Sequence, residues 1–209
     1  MPADGHQAPH GAGVDAVLDA ARAVGVRVRA EAFLFCRHGR TAGNAARIYQ
    51  HPQEPLDAEG HAQARRAAAL IAAGPRPARL VSSDMARAWL TAGHIASALG
   101  APVLPAPGLC ERSFGALVGT SSAGFDWRED PPQGETLADF VARTARALSD
   151  ILAEADAPLL VAHGGTWLVL AGALGIPLVP ALRDNAVPLL VRRGEAGWEA
   201  APLPLASRR

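Results

Sequence analysis

Short apolar runs, separated by longer segments of helical spacing, dominate the middle of the chain. Each run holds three or four residues and carries no charge. Runs of this kind are typical of strands that are buried on both faces of a sheet. We therefore predict strands at 33–36, 80–82, 102–104 and 159–162. Two later segments, 187–191 and 198–203, flank 192–197 and predict a terminal hairpin.

The segments between these runs carry apolar residues at helical spacing. Thr136 and Asp139 match a capping box, and Gly74 and Gly100 are suited to ending the helices before them. A cap at Ser83 or Asp84 is expected for the helix that ends at 99. The predicted helices cover 14–24, 57–73, 83 or 84 to 99, 136 to about 154, and 166–174. Strands alternating with helices predict an α/β fold, a three-layer sandwich with a mostly parallel central sheet.

The length of 209 residues suggests one domain with a small appendage. We predict an N-terminal extension at 1–30, made of a disordered tail at 1–13 and a short helix, and a single domain at 31–209. Within it, residues 105–135 are irregular and rich in glycine and proline. Loops this long inside a compact domain are usually functional or mobile, so this segment is expected to form a reduced cap.

Composition narrows the function. Twenty basic residues balance twenty acidic ones, which argues against a nucleic-acid or anionic-membrane binder. All twenty basic residues are arginine, which excludes a Walker A loop and a Schiff-base lysine and favours recognition of phosphate or carboxylate. The sequence shows neither a signal peptide nor a convincing membrane span, and a cytoplasmic location is expected. Cys36 and Cys110 are expected to be buried inert thiols, with a redox switch as the alternative.

Two predicted strands end in the same way. Arg37-His38-Gly39 follows the strand at 33–36, and His163-Gly164-Gly165 follows the strand at 159–162. A third strand precedes a helix that carries Arg87. A lone histidine at a strand end is usually structural and a lone arginine is usually solvated. However, neighbouring strands would bring all four side chains to one sheet edge, where ligands bind. Cationic groups, imidazoles and glycine amides would form a pocket for a phosphoryl group.

The motifs resemble those of the histidine phosphatase superfamily, in its phosphoglycerate mutase-like branch. Order and spacing are kept over 33–191, in the segments 37–44, 55–64, 82–92, 109–115, 132–137 and 162–166. This resemblance implies that His38 is the nucleophile and becomes a phosphohistidine. It also implies that Glu111 protonates the leaving oxygen and then activates water, with Asp84 as the fallback for that role. The phosphate is expected to be bound by Arg37, Asn44, Arg87, His163 and the backbone at Gly164, and His163 also counts as catalytic.

The expected activity is metal-independent hydrolysis of a small phosphorylated metabolite, without a cofactor. Glu111 and His163 are only 52 positions apart. A cap this short favours hydrolysis over phosphoglycerate mutase activity, which must retain its product. Mutase activity and a non-catalytic phosphoryl-binding module remain as alternatives. A serine esterase would need a Gly-x-Ser-x-Gly elbow, which the sequence lacks. No nucleic-acid or membrane partner is expected, and a homodimer is compatible with the sequence.

Two further features each allow two interpretations, and one pair of histidines has a metal-like spacing. Arg40 could bind a second anionic group at the pocket mouth or be a solvated arginine. Phe125 and Trp127 could line the leaving-group pocket or anchor the cap. His6 and His10 have a spacing compatible with a metal, but they lie in the predicted tail, so a metal site there is a weak hypothesis.

Overall fold

The computed structural model describes residues 12–204. Most of the predicted tail, together with His6 and His10, lies outside the described residues. Within residues 12–204, no helix is both long enough and apolar enough to cross a membrane.

A six-stranded sheet forms the middle layer. The strands are β1 (Ala32–Arg37), β2 (Leu80–Ser82), β3 (Val103–Pro105), β4 (Leu159–Ala162), β5 (Pro188–Gly194) and β6 (Gly197–Pro202). Their order is β3-β2-β4-β1-β5-β6. The first four in that order run parallel, and β5 pairs antiparallel with both β1 and β6. The mostly parallel sheet and the terminal hairpin predicted from the sequence are confirmed.

Helices cover both faces of this sheet. They are α1 (Val14–Val24), α2 (Ala42–Ala46), α3 (Ala58–Ala73), α4 (Ala86–Leu99), α5 (Leu137–Leu152) and α6 (Gly164–Leu174). Because side chains alternate across a strand, Phe33 and Phe35 of β1 pack into the core beneath α1, α5 and α6. Leu34 and Cys36 face the opposite core, beneath α3 and α4. The three-layer α/β sandwich is therefore confirmed.

Several helix ends differ from the sequence prediction. The predicted cap of α4 at Ser83 or Asp84 is wrong: the cap position is Met85, which makes no side-chain cap bond, and the Asp84 carboxylate accepts from the Cys110 thiol. Helix α2 was not predicted. It is only five residues long and is held by a capping box between Thr41 and Asn44. Helix α5 ends two residues early, and α6 begins at Gly164 rather than at Thr166.

The segment 105–135 is irregular, as expected, apart from 3-10 turns at Pro107–Leu109 and Gly115–Leu117. Its centre is Arg112, whose buried guanidinium donates hydrogen bonds to the carbonyls of Trp127, Glu129 and Glu135. Ala12 exchanges backbone hydrogen bonds with Phe125 and Trp127. The cap is therefore tied both to its own arginine and to the residue that precedes α1.

Candidate active site

The carboxyl ends of β1, β4 and β2 meet at one edge of the sheet. Because β4 lies between β1 and β2, this order brings together the two motifs that end in histidine and the helix that carries Arg87. The His38 and His163 rings lie 5.2 Å apart, centroid to centroid. A cavity of about 990 Å³ opens at this edge and is lined by Arg37, His38, Arg87 and Glu111 among others.

His38 is held as a neutral imidazole with a defined tautomer. Its Nδ1 lies 2.7 Å from the Gly39 carbonyl oxygen, and since a carbonyl can only accept, Nδ1 carries the proton. The unprotonated Nε2 is then available as a nucleophile. Burial lowers the pKa of His38 well below its ordinary value, and the charges of Arg87 and Arg37 lower it further. Its backbone is fixed as well, by Ala162 and by the Asn185 side chain.

Two arginines lie close enough to His38 for their charges to act on it. Arg37 donates from Nη1 to the carbonyl of Arg183 at 2.7 Å, and Arg87 donates to the carbonyl of His51 at 3.2 Å. Within the described chain, the buried Nε atoms of both arginines have no hydrogen-bond partner. Buried hydrogen-bond donors are almost always paired in folded proteins, so we expect these two Nε atoms to donate to a bound ligand. An anion in the cavity would provide it.

His163 is fully buried and is held by a hydroxyl side chain. Its Nε2 lies 2.8 Å from the Ser83 hydroxyl, while its Nδ1 has no partner among residues 12–204. Burial lowers the pKa of His163 well below its ordinary value, and the charge of Arg87 acts in the same direction. The Ser83 hydroxyl also accepts from the Met85 amide at 3.3 Å. A hydroxyl can both donate and accept, so binding of a phosphate through Nδ1 requires that Ser83 donate to Nε2 and that the imidazole proton lie on Nδ1.

Glu111 is oriented by two backbone amides. Its Oε1 accepts from Arg112 at 3.0 Å, and its Oε2 accepts from Gly165 at 2.9 Å. Gly164 lies beside it at the start of α6, close to the Arg37 guanidinium. Glu111 lines the cavity, whereas Asp84 does not and instead accepts from the Cys110 thiol at 2.9 Å. The geometry therefore favours Glu111 over Asp84 as the group that meets a leaving oxygen.

Asn44 and Arg40 differ in their access to the cavity. Asn44 lines it, and its carbonyl oxygen accepts from the Thr41 amide in the capping box. This leaves its NH₂ group without an acceptor among the residues described. Arg40 is paired with Asp57 at 2.8 Å and does not line the cavity. The structure thus gives no support to a pocket-mouth role for Arg40.

The structure also bears on the roles predicted for the two aromatic residues, the two cysteines and a bound metal. Phe125 and Trp127 both line the cavity and contact each other edge to face, so both of their proposed roles are compatible with the structure. Cys36 is buried as predicted, and burial raises its pKa to about 12. Cys110 is only partly buried, contrary to the prediction, but burial and Asp84 raise its pKa as well, so both cysteines favour the inert-thiol interpretation. Among residues 12–204, no group of three or more histidine, cysteine or acidic side chains could hold a metal ion.

Sequence reasoning missed four residues that support the site. Ser83 lies in a matched segment, but its sequence context predicts only a helix cap. Asn185 and Arg183 lie far along the chain from His38 and belong to none of the matched segments. Arg143 of α5 pairs with Glu135 at 2.7 Å and donates to the Gly108 carbonyl, which braces the loop that carries Glu111. Only Ser83 carried a sequence signal, a buried-strand end beside the Arg87 helix.

The α/β sandwich brings two strand-end histidines and two buried arginines to one sheet edge, a set of donors suited to a phosphoryl group. The family model of the histidine phosphatase superfamily (branch 1) matches residues 33–200. The chain therefore belongs to the histidine phosphatase superfamily, as its motifs predicted.

Curated relatives and solved structures agree with this assignment. The chain is 33% identical over 159 residues to a protein of Proteus mirabilis named "Probable phosphoglycerate mutase GpmB", covering 68% of this chain and 74% of that protein. It is 33% identical over 175 residues to the glucosyl-3-phosphoglycerate phosphatase of Mycobacterium tuberculosis, covering 70% and 76%. A solved mycobacterial glucosyl-3-phosphoglycerate phosphatase, described as a complex with VO3, aligns with a TM-score of 0.68 at 26% identity. That alignment covers 86% of this chain and 100% of the other.

Proposed function

We propose that this protein is a phosphatase that hydrolyses a small phosphorylated metabolite through a phosphohistidine at His38. The observation that carries the proposal is the His38 ring. Its proton is fixed on Nδ1 by the Gly39 carbonyl, so the lone pair on Nε2 is available at the cavity. A relative named as a phosphatase and the family assignment support the hydrolase reading.

The proposed reaction has two steps. First, Nε2 of His38 forms a bond to phosphorus while the bond to the ester oxygen breaks, and Glu111 supplies the proton that the leaving oxygen takes up. Then the Glu111 carboxylate takes a proton from water, whose oxygen attacks phosphorus and releases His38. The phosphate oxygens are bound by Arg37, Arg87, the Asn44 amide, His163 and the backbone at Gly164. Phosphoryl transfer depends mainly on such positioning and charge stabilisation, which arginine forks supply.

Trapping the phosphoenzyme tests this proposal. Wild type mixed with labelled 4-nitrophenyl phosphate in EDTA, and quenched in base, should give an acid-labile, base-stable phosphoprotein. We expect no label in His38→Ala, because the attacking nitrogen is gone. His61→Ala is the matched control, because it removes a histidine from the surface contact between α3 and α4 and should keep the label. Label that persists in His38→Ala, or activity that EDTA abolishes and a divalent metal restores, would contradict the proposal.

Mutase activity is the second candidate, because one curated relative is named as a probable mutase. The same enzyme incubated with 3-phosphoglycerate separates the two activities. Hydrolysis yields inorganic phosphate, whereas a mutase yields 2-phosphoglycerate without net release of phosphate. We expect phosphate to be the product whenever this substrate turns over. A protein that binds vanadate, forms no phosphoenzyme and turns over neither 3-phosphoglycerate nor the aryl ester would instead fit a phosphoryl-binding module.

A further inference from the structure

Arg183 is built into the same structural unit as the nucleophile. It follows the 3-10 turn Pro180–Leu182, and its amide donates to the Pro180 carbonyl at 3.0 Å. Its own carbonyl accepts from Nη1 of Arg37 at 2.7 Å. Two residues further on, the Asn185 side chain donates to the His38 carbonyl at 2.8 Å. The Arg183 backbone is therefore fixed relative to both Arg37 and His38.

The Arg183 side chain carries a positive charge that the described chain does not neutralise. It is partly buried and lines the cavity, and no carboxylate or carbonyl among residues 12–204 pairs with its guanidinium. Two other arginines near the site are satisfied: Arg40 by Asp57, and Arg112 by three carbonyls and Asp130. Burial and the charge of Arg37 lower the pKa of Arg183 to about 10, so it remains a cation at neutral pH.

The cavity is large enough to hold a ligand that reaches from the phosphate-binding residues to Arg183. Its volume of about 990 Å³ lies at the upper end of the range for sites that enclose whole organic ligands. The unpartnered Nε atoms of Arg37 and Arg87, together with His163, already provide donors for one phosphoryl group. A further guanidinium at the wall is then matched to a second anion, and its planar fork suits a carboxylate or another phosphate.

We propose that Arg183 binds a second anionic group on the leaving-group portion of the substrate, so that this enzyme selects phosphate esters with two anionic ends. The proposal rests on the phosphatase function proposed above and names the substrate class of that site. Arg183 replaces Arg40 in this role, because Arg40 is paired with Asp57 outside the cavity.

The test compares two esters of nearly the same shape, the charged 3-carboxyphenyl phosphate and the neutral 3-carbamoylphenyl phosphate. Wild type should prefer the carboxylate by roughly 10–100-fold in kcat/KM, the range expected for a charge-assisted hydrogen bond. In Arg183→Gln the preference should fall to near unity, while the rate on the amide ester stays within about twofold. Arg183→Lys keeps the charge without the fork and should show an intermediate preference. Comparing ratios cancels the small difference between the two leaving groups.

Arg47→Gln is the matched control, because Arg47 also lines the cavity and has no ion pair within the described chain. It should keep the wild-type preference. Loss of selectivity in Arg47→Gln instead of Arg183→Gln would overturn the assignment to Arg183. An equal loss on both esters in a folded Arg183→Gln would mean that Arg183 serves the reacting phosphate. Lack of preference in wild type would refute the second-anion site while leaving the phosphatase function intact.

Binding separates the two proposals if turnover fails. The corresponding phosphonates, 3-carboxyphenylphosphonate and 3-carbamoylphenylphosphonate, cannot be hydrolysed, and their Kd values are measured by calorimetry. A preference for the carboxylate that disappears in Arg183→Gln supports the Arg183 site even if wild type hydrolyses neither ester. In that case the hydrolytic function alone is contradicted. Equal Kd values for the two phosphonates in wild type would refute the Arg183 site directly.

Discussion

At the scale of single residues, the two buried histidines complement each other. His38 has its Nδ1 tied to a backbone carbonyl, and His163 has its Nε2 tied to the Ser83 hydroxyl. The remaining nitrogen of His163, Nδ1, has no partner among the described residues. The remaining nitrogen of His38, Nε2, belongs to a side chain that lines the cavity. Burial keeps both rings neutral near pH 7, so the positive charge that faces a phosphate comes from Arg37 and Arg87.

The proposed acid, Glu111, should matter most for poor leaving groups. An alkyl oxygen needs a proton as it leaves, whereas a nitrophenolate leaves almost unaided. We expect Glu111→Gln to lower kcat on an alkyl phosphate by roughly 10²–10⁴-fold, the usual range for general acid catalysis. The burst of phosphoenzyme formed from 4-nitrophenyl phosphate, measured by rapid quench, should fall less.

Asp84→Asn is the comparison variant, because Asp84 lies outside the cavity with its carboxylate on the Cys110 thiol. It should change both rates by only a few fold. A small, equal loss on both substrates in Glu111→Gln, together with a large loss in Asp84→Asn, would transfer the acid role to Asp84.

At the scale of elements, the first turn of α6 connects the β4 motif to the cap. Gly165 donates its amide to Glu111 and lies against Trp127 and Phe140. A Cβ built at Gly165 would lie 2.1 Å from the Glu111 carboxylate, but one at Gly164 would be 3.7 Å from Arg37, an ordinary contact. Position 165 must therefore be glycine for α6, Glu111 and Trp127 of the cap to approach one another this closely. Position 164 has room for an alanine side chain.

Gly165→Ala should displace the Glu111 carboxylate and reduce activity strongly. Displacements of about 1 Å in an active site cost on the order of 10² in rate, so we expect at least that loss in kcat on an alkyl phosphate. Overpacking against the two aromatic rings should also lower the free energy of unfolding by about 1–3 kcal/mol. Gly164→Ala keeps its backbone amide and should lose less than about threefold. Equal effects of the two substitutions, measured by steady-state kinetics and urea unfolding, would contradict this account.

At the scale of the whole molecule, the sequence was most informative where a local pattern decides the structure. The uncharged runs at 33–36 and 159–162 are buried on both faces of the sheet, and the histidine motifs that follow them meet because β1 and β4 pair directly. Position near a motif was a poorer guide. Arg40 stands two residues after His38, yet Asp57 pairs with it, whereas Arg183 lies 146 positions from Arg37 and reaches it through the fold.

Short helices and hydrogen bonds between distant buried residues could also not be predicted from the sequence. The five residues of α2 are too few for helical periodicity to be read, and their capping box became visible only in the structure. Ser83 was read as a cap because serine after a strand is common before a helix. Its hydrogen bond to His163 spans 80 positions, a separation that local patterns do not report.

The stability of the whole molecule should decrease as the pH falls below 6.5. The pKa values of buried His38 and His163 are well below 6.5 in the folded protein, so the unfolded chain binds more protons in the interval below that value. Each histidine then removes up to ~1.4 kcal/mol of the free energy of unfolding per pH unit until its folded pKa is reached. Urea unfolding at pH 7.0, 6.0 and 5.0 measures this slope.

Replacing each histidine shows whether His38 and His163 cause this pH dependence of the free energy of unfolding. His94 has a pKa lowered in the same direction, so His38→Gln and His163→Gln should each reduce the slope without abolishing it. Ser82→Ala removes a neighbouring buried hydroxyl, adds no titratable change, and should keep the wild-type slope. The absolute stabilities of these variants will differ, so the comparison uses each variant's own change between pH 7.0 and 5.0. An unchanged slope in both histidine variants would mean that neither ring is held neutral by burial, and would remove the physical basis for a neutral nucleophile at His38.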